Sequence, residues 1–302
     1  MRNLLILLLF ATSVAHSAES VAVIWPFNIA GAQANYSRLA INAANTSQHD
    51  YVFYLDNKPG AGGSIAVKHT IHSNNLTLVS HSSSFFLRPI FFPNDSYNIE
   101  DVKPVLVQST NQPLAVVSIK YDNLTDLKKQ SRLTIGMQNG GITQAVSEQL
   151  AKLLPDTELV FIPFNGTFDA TQAMLGGHID LSVDGLRDLG QWLALGKIKV
   201  IGLTGTRNIG NLKSFKNQGI TGFEQISQNY IIYTSAKTSD EEVKKLHDIL
   251  NVANKNPELL KFYQEDFSQP ADFDMEKTNQ FFQSLKKFWP TVVKPGVLCF
   301  FI

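Results

Sequence analysis

Nine short apolar segments alternate along the chain with segments that have the periodicity of amphipathic helices. In the helix-like segments the apolar residues fall on one face, as do Val146, Leu150 and Leu153. This alternation predicts an α/β fold with mostly parallel sheets. The strand-like segments span residues 21–25, 51–55, 76–80, 114–119, 133–136, 159–163, 179–183, 199–203 and 230–234.

The order of the segments is compatible with two lobes. A chain of 302 residues is long enough for two domains of ordinary size. A second α/β unit can be inserted within the first if the chain crosses between the two units near 114–119 and again near 230–234. We therefore expect lobe 1 to comprise residues 19–115 and 235–302 and lobe 2 to comprise residues 116–234, joined by a two-strand hinge.

The first 18 residues have the order of a secretory signal peptide. Arg2 precedes an uninterrupted apolar run over residues 4–10, and small residues follow as far as Ala18. The apolar run is too short to span a bilayer. We expect the segment to be cleaved and the protein to be exported to the periplasm.

Composition excludes two classes of protein. The 26 basic residues balance the 26 acidic ones, which is unlike the basic surface of a nucleic-acid-binding protein. Because Cys299 is the only cysteine, a disulfide-stabilised fold is also excluded. We expect a monomer without nucleic-acid partners.

A glycine-rich segment, Gly60-Ala61-Gly62-Gly63, stands between a strand-like and a helix-like segment. Glycines let the backbone approach a ligand closely, and the free N–H groups of a helix's first turn favour an anion. The fingerprint of a dinucleotide site is incomplete here, and the Gly-Lys-Ser/Thr ending of a P-loop is missing. The segment therefore indicates either a cradle for a small acid or a tight turn without a ligand.

Two further loops have the same strand-to-helix position. One covers residues 25–33 and the other residues 139–143, and both contain small residues whose amides can face a ligand. In open α/β sheets, ligands bind beyond the carboxyl ends of the strands. Together the three loops predict one site for a carboxylated ligand.

Candidate catalytic and metal-binding groups are few. Asp184 ends a strand-like segment, where it can either accept a hydrogen bond from a ligand or cap the next helix. His69 and His72 lack an evident third metal ligand. The triple serine at 82–84 lacks the G-x-S-x-G sequence of serine hydrolases. We expect no enzyme activity, no metal and no cofactor.

Several motifs occur in the order found in one known family. They are the NKPGAGG sequence at 57–63, FIPFNG at 161–166, GGHID at 176–180 with Asp184, GLTG at 202–205 and KFWPTVV at 287–293. Over essentially the whole mature chain the sequence resembles the substrate-binding receptors of tripartite tricarboxylate transporters, the Bug/TctC family. The resemblance implies a two-lobed periplasmic binding protein of the Venus flytrap type.

The resemblance also implies a site. In the family, backbone amides and ordered waters from loops of both lobes hold a ligand carboxylate, and these loops correspond to 26–33 and 138–143 here. The implied ligand-binding residues are Phe27, Asn28, Ala30, Gly31, Gln33, Ser84, Gln138, Gly141, Thr143, Phe164 and Asp184.

Some positions depart from the family pattern. Ala34 stands where the family has Asp, Ile142 and Ala145 stand where it has Ser and His, and Phe164-Asn165 replaces Tyr-Lys. Each change removes a polar group or a charge, and a charge-assisted hydrogen bond contributes roughly 1.5–3 kcal/mol. The departures predict either a more apolar acid as ligand or a weakened site. The apolar tail at 297–302 lies outside the family pattern.

We therefore expect a periplasmic receptor that closes on a small carboxylate and delivers it to membrane permease subunits, the latter by resemblance only. One alternative keeps the fold and makes the protein a ligand-responsive adaptor or sensor without a transport role. Another is an exported hydrolase of small esters or phosphates, which the missing nucleophile and base disfavour.

Overall fold

The computed structural model describes residues 18–293, which fold into eleven strands and ten α-helices. The predicted signal peptide, except for its last residue, and the apolar tail lie outside the described residues. The strands are β1 (Glu19–Trp25), β2 (Tyr51–Asn57), β3 (Thr77–Ser82), β4 (Val102–Gln112), β5 (Leu114–Ser118), β6 (Arg132–Gln138), β7 (Glu158–Phe164), β8 (Leu181–Gly185), β9 (Lys199–Leu203), β10 (Gln228–Ser235) and β11 (Gln269–Pro270). The helices are α1 (Asn35–Ser47), α2 (Ser64–His72), α3 (Ser84–Phe91), α4 (Leu124–Leu127), α5 (Ile142–Lys152), α6 (Thr167–Leu175), α7 (Leu186–Ala194), α8 (Asp240–Ala253), α9 (Pro257–Glu265) and α10 (Met275–Val292).

The strands form two separate sheets. The first sheet has the order β11-β4-β10-β3-β1-β2, and the second has the order β7-β6-β8-β5-β9. In the first sheet β2, β1 and β3 are parallel, whereas β10, β4 and β11 pair antiparallel. In the second sheet β7, β6 and β8 are parallel, whereas β5 pairs antiparallel with β8 and β9. The predicted α/β class is confirmed, but the sheets are mixed rather than mostly parallel.

The chain passes between the sheets at two places. Pro113 alone separates β4 of the first sheet from β5 of the second, and the return lies between β9 and β10. β10 pairs with β3 and β4, so residues 228–234 lie in the first sheet and not in lobe 2, where the sequence analysis put them. The pattern of apolar residues identifies a strand but does not identify its partner. From here on, the first lobe means the first sheet with its helices, and the second lobe means the second sheet with its helices. The position of the hinge stays a prediction.

Local sequence explains where the C-terminal helices begin. The Ser239 side chain accepts a hydrogen bond from the Glu242 amide at the start of α8. Asn256 does the same for the Glu258 amide at the start of α9, and Pro257 takes the first helical position. Both caps satisfy amides that the helix itself leaves free, and Ser, Asn and Pro are typical residues at these positions.

An aromatic core fixes the first lobe beneath the site. Phe85 of α3 stacks on Tyr233 of β10 with ring centroids 4.2 Å apart, and on Tyr97 at 5.1 Å. Phe282 of α10 packs on the same group. These contacts hold the start of α3, and with it Ser84, against the end of β3.

Two features are absent from residues 18–293. No helix in this part of the chain is long and apolar enough to cross a membrane. Within the same residues, no group of three or more His, Cys, Asp or Glu side chains is arranged to hold a metal ion.

Candidate functional site

The carboxyl ends of β1 and β6 bring one loop of each lobe to a small cavity between the lobes. The cavity has a volume of about 30 Å³. A larger groove of about 960 Å³ lies elsewhere, near Phe161, Ile226 and Val293. We place the candidate site at the small cavity because the strand-end loops and the polar groups of both lobes meet there.

The first-lobe loop follows β1 and is held from behind by side chains of its own lobe. Asn57 Nδ2 donates to the carbonyl oxygens of Trp25 (2.9 Å) and Phe27 (2.8 Å). Within the loop, Asn28 Oδ1 accepts a hydrogen bond from the Ala30 amide at 2.9 Å. Arg38 donates to the Ile29 carbonyl oxygen at 2.7 Å. These bonds leave the remaining donors of the loop directed toward the second lobe.

Three of those donors bond to carboxylates of the second lobe. Asn28 Nδ2 donates to Asp169 Oδ1 at 3.0 Å, in the first turn of α6. The Ala32 amide donates to Asp188 Oδ1 at 2.7 Å, and Gln33 Nε2 donates to Asp188 Oδ2 at 2.7 Å. Asp188 lies in the first turn of α7 and so joins the two lobes directly with both of its oxygens.

The second-lobe loop follows β6 and is ordered by its own side chains. The Gln138 amide donates to Thr143 Oγ1 at 2.7 Å, and the Gly140 amide donates to Gln144 Oε1 at 2.8 Å. Ser84 of the first lobe accepts a hydrogen bond from the Ile142 amide at 3.1 Å. Among the described residues, Gln138 Nε2 has no hydrogen-bond partner although it is buried.

The structure brings five of the eleven predicted residues to the cavity wall: Phe27, Asn28, Gly31, Gln33 and Gln138. Six others do not line it. Ser84, Gly141 and Thr143 contact Gln138 or its loop, and Ala30 is exposed on the outer side. Phe164 packs in the apolar core of the second lobe, and Asp184 is buried with 1% of its surface exposed.

The sequence analysis missed several residues of the cavity wall. They include Trp25, Ser82, Phe168, Asp188, Gln228 and Tyr230. Asp188 had one usable signal, since an acidic residue in the first turn after a strand-end glycine is a common helix-start pattern. Gln228 and Tyr230 had none, because they belong to a strand whose partner the sequence does not reveal.

Buried carboxyl groups dominate the electrostatics behind the cavity. Burial, with the nearby charge of Asp188, raises the pKa of Asp184 well above its usual value. Burial also raises the pKa of Asp188 and raises that of Asp266 to about 7. Desolvation disfavours the charged form of each group, so burial favours the protonated form of Asp184 and Asp188 in the second lobe and of Asp266 in the first.

A chain of amide groups links the site to the strand crossings. Gln112, at the end of β4, donates to Asp266 at 2.7 Å. Gln228, at the start of β10, donates to Gln112 Oε1 at 2.8 Å and to the Tyr230 hydroxyl at 2.6 Å. The Tyr230 hydroxyl donates to Gln33 Oε1 at 3.0 Å. Gln228 is therefore linked to Gln33 through the Tyr230 hydroxyl, and Gln112 is linked to both through Gln228.

The glycine-rich segment does not line the cavity but packs beside it. Gly62 has a φ of 61° and Gly63 has a φ of 95°, and residues with a side chain rarely adopt such positive values. A Cβ on Gly62 would lie 2.4 Å from the Asn139 carbonyl oxygen of the second lobe. A Cβ on Gly63 would lie 2.2 Å from Nε2 of His81, whose pKa burial lowers to about 4. Gly62 therefore allows the two lobes to pack closely against each other, and Gly63 allows His81 to pack closely within the first lobe.

Three of the departures from the family pattern are packed into apolar cores. Ala34, Ile142 and Ala145 have no exposed surface. Ile142 and Ala145 belong to the main core and Ala34 belongs to the cluster around Tyr36. Apolar side chains at these positions stabilise the lobes and do not face the cavity.

Comparison with known proteins gives a consistent family assignment. The model of the "Tripartite tricarboxylate transporter family receptor" matches residues 40–296. A curated protein from the tcbD-tcbE intergenic region of a Pseudomonas species is 20% identical over 293 residues, covering 92% of this chain and 87% of that protein.

Solved structures show the same fold. MatC from Rhodopseudomonas palustris with bound malate superposes with a TM-score of 0.81 at 20% identity, covering 91% of this chain and 99% of that chain. An adipate-bound protein from R. palustris gives 0.82 at 17% identity, covering 91% and 98%. The periplasmic binding protein BugD gives 0.80 at 18% identity, covering 91% and 98%.

Proposed function

Because the chain belongs to the tripartite tricarboxylate transporter receptor family, we propose that it binds a small carboxylate between its lobes and delivers it to a tripartite tricarboxylate-type membrane transporter. One observation carries this proposal. Loops from the carboxyl ends of β1 and β6 meet at one cavity, and a side-chain amide from each loop lines it: Gln33 from the first lobe, whose Nε2 bonds to Asp188, and Gln138 from the second, whose Nε2 has no partner among the described residues.

The chemistry of these donors suits an anion. Hydrogen bonds to an ionised oxygen are about twice as strong as neutral ones, and amides supply them without a permanent charge. A ligand that bonds to both lobes stabilises the closed arrangement by its extra affinity for that arrangement. Malate and adipate in two structural relatives support a carboxylate as the ligand here.

The proposed function also specifies a compartment and a membrane partner. The signal-peptide pattern over residues 1–18 supports export to the periplasm. Family membership supports permease subunits as the membrane partner. The family and fold are those of solute-binding proteins, and we propose that this chain has no catalytic activity.

One observation favours the alternative of a ligand-responsive adaptor without a transport role. Asp169 and Asp188 take up the donors Asn28 Nδ2, the Ala32 amide and Gln33 Nε2, and the remaining cavity measures about 30 Å³. Because these hydrogen bonds join the two lobes directly, such a protein can present a closed surface to a protein partner without carrying a ligand to a transporter. Failure of every acid to bind in the experiment below would favour this alternative over the receptor function.

The test is a thermal-shift and calorimetry screen of residues 19–302 against malate, adipate, citrate and monocarboxylates. A ligand at a hundred times its dissociation constant adds about 2.7 kcal/mol to the free energy of unfolding. We expect at least one acid to bind, and we expect Gln138→Glu to abolish that binding by replacing the free amide donor with a carboxylate. Gln283→Glu, on the exposed face of α10, is the matched control. Failure of every acid to bind would refute the receptor function.

A further inference from the structure

Asp188 places a carboxylate of the protein itself on the donors of the first-lobe loop. Both of its oxygens accept hydrogen bonds at 2.7 Å, one from the Ala32 amide and one from Gln33 Nε2. The Ala32 amide opens the helical segment that continues into α1, where an anion is favoured. The position that would suit a ligand carboxylate in the first lobe is therefore already taken by an acidic side chain of the second.

Positive charge is absent from the wall of this cavity. Within residues 18–293, the side chains that line it include no Lys or Arg. Arg187, beside Asp188 in the chain, pairs instead with Glu265 and lies over the Phe262 ring. Arg38 donates to Ile29 and Asn35. Among the described residues, no cationic side chain that lines the cavity therefore pairs with the Asp188 carboxylate.

The cavity wall also includes a side-chain donor without a partner among the described residues. Gln138 is 4% exposed, lines the cavity, and its Nε2 has no partner among the described residues. A buried amide N–H without an acceptor is costly, and a ligand oxygen would satisfy it. The cavity wall therefore combines an unpaired donor at Gln138 with a carboxylate at Asp188.

We propose that Asp188 determines ligand class, so that the site selects a molecule with one carboxylate and one protonated amine over a dicarboxylate. The inference rests on the proposed function and narrows it. The ligand carboxylate accepts from Gln138 Nε2, and its ammonium group lies against Asp188. A dicarboxylate would instead set its second carboxylate against Asp188, and like charges placed together oppose binding strongly.

Two pairs of probes that differ in one group test this inference. Succinate and β-alanine have the same chain length, with one carboxylate replaced by an ammonium group, and adipate and 5-aminopentanoate form a longer pair. Calorimetry on residues 19–302 should show that the amino acid of at least one pair binds about tenfold or more tightly than its dicarboxylate. Asp188→Asn, which keeps the shape of the side chain, should reverse that preference. Asp188→Ser is a second variant, and thermal melts check that both are folded.

The control is Asp156→Asn, which removes one carboxylate from an exposed turn of the second lobe. We expect it to leave the ratio of the two affinities unchanged. Equal or tighter binding of the dicarboxylates by the unaltered protein would overturn the inference and leave the proposed function standing. An Asp188→Asn variant with an unchanged ratio would also overturn it. Absence of binding by all four probes, malate and citrate would contradict both proposals.

Discussion

Replacing Asp266 with Asn should change how the stability of the protein depends on pH. Asp266 has no exposed surface, and its Oδ2 accepts from the Tyr36 hydroxyl at 2.5 Å and from Gln112 Nε2 at 2.7 Å. Its Oδ1 has no partner among the described residues. Burial raises its pKa from the usual 3.8 to about 7. The folded protein therefore keeps a proton on this carboxyl that the unfolded chain releases.

The sign and the size of the effect follow from this difference. Between pH 4 and pH 7 the folded state binds more protons at Asp266 than the unfolded state, so this group lowers the free energy of unfolding as the pH rises. At 1.36 kcal/mol for each pH unit, the loss amounts to about 4 kcal/mol at pH 8. Asn is neutral at every pH and can accept the same two hydrogen bonds. Asp266→Asn should match the unaltered protein near pH 4 and exceed its stability by about 4 kcal/mol at pH 8.

Urea unfolding of both proteins at half-unit steps from pH 4 to pH 8 measures this quantity. The difference between the two curves is the relevant value, because other buried groups contribute equally to both proteins. Asp156→Asn controls for the change in net charge. Two curves that stay parallel across the whole range would refute the argument that Asp266 is protonated in the folded protein at neutral pH.

Two further outcomes are expected. Burial lowers the pKa of His81 to about 4, so its contribution to stability is complete above pH 6.5 and is lost as the pH falls toward 4. His81→Asn should remove about 3 kcal/mol of this acid-induced loss of stability, as measured by urea unfolding at low pH. An unchanged dependence of stability on pH in acid would contradict this prediction. Gly62→Ala should force the lobes apart by roughly 1 Å at Asn139 and speed hydrogen exchange of the Ala32 amide, which bonds across the lobes. Gly196→Ala, with a φ of 64° and nothing near its Cβ, has the same backbone strain without the clash, and equal exchange in both variants would exclude the contact as the cause.

The sequence predicted much of the fold because most strands are short and apolar. The nine predicted strands all exist, and the loops at 25–33 and 139–143 both lie beside the cavity. The longest strand, β4, was missed because it contains Lys103, Pro104 and a polar run over 108–112. Two of its buried polar side chains bond to distant partners: Gln108 Nε2 donates to the Tyr36 carbonyl oxygen, and Gln112 Nε2 donates to Asp266. Such partners cannot be inferred from the sequence of one strand.

The candidate site was predicted less well than the fold. Gly31 and Gln138 belong to loops whose position follows from strand order, so local sequence was sufficient to find them. Asp188 reaches the site only because the second lobe lies against the first. Asp184 was a better candidate from its place at a strand end, yet it faces Thr171 and the interior of its own lobe. Which of two nearby acids faces the cavity is decided by packing between lobes.

The contact between Gly62 and the Asn139 carbonyl also limits how far the two lobes can rotate toward each other. Backbone atoms already in contact cannot yield as a flexible side chain can. In the proposed closure, this contact would set the end point, which would then not depend on the size of the ligand. Any partner that contacts both lobes would therefore bind the same closed surface whichever ligand is bound. The partner would distinguish only a closed state from an open one and would not detect intermediate angles between the lobes.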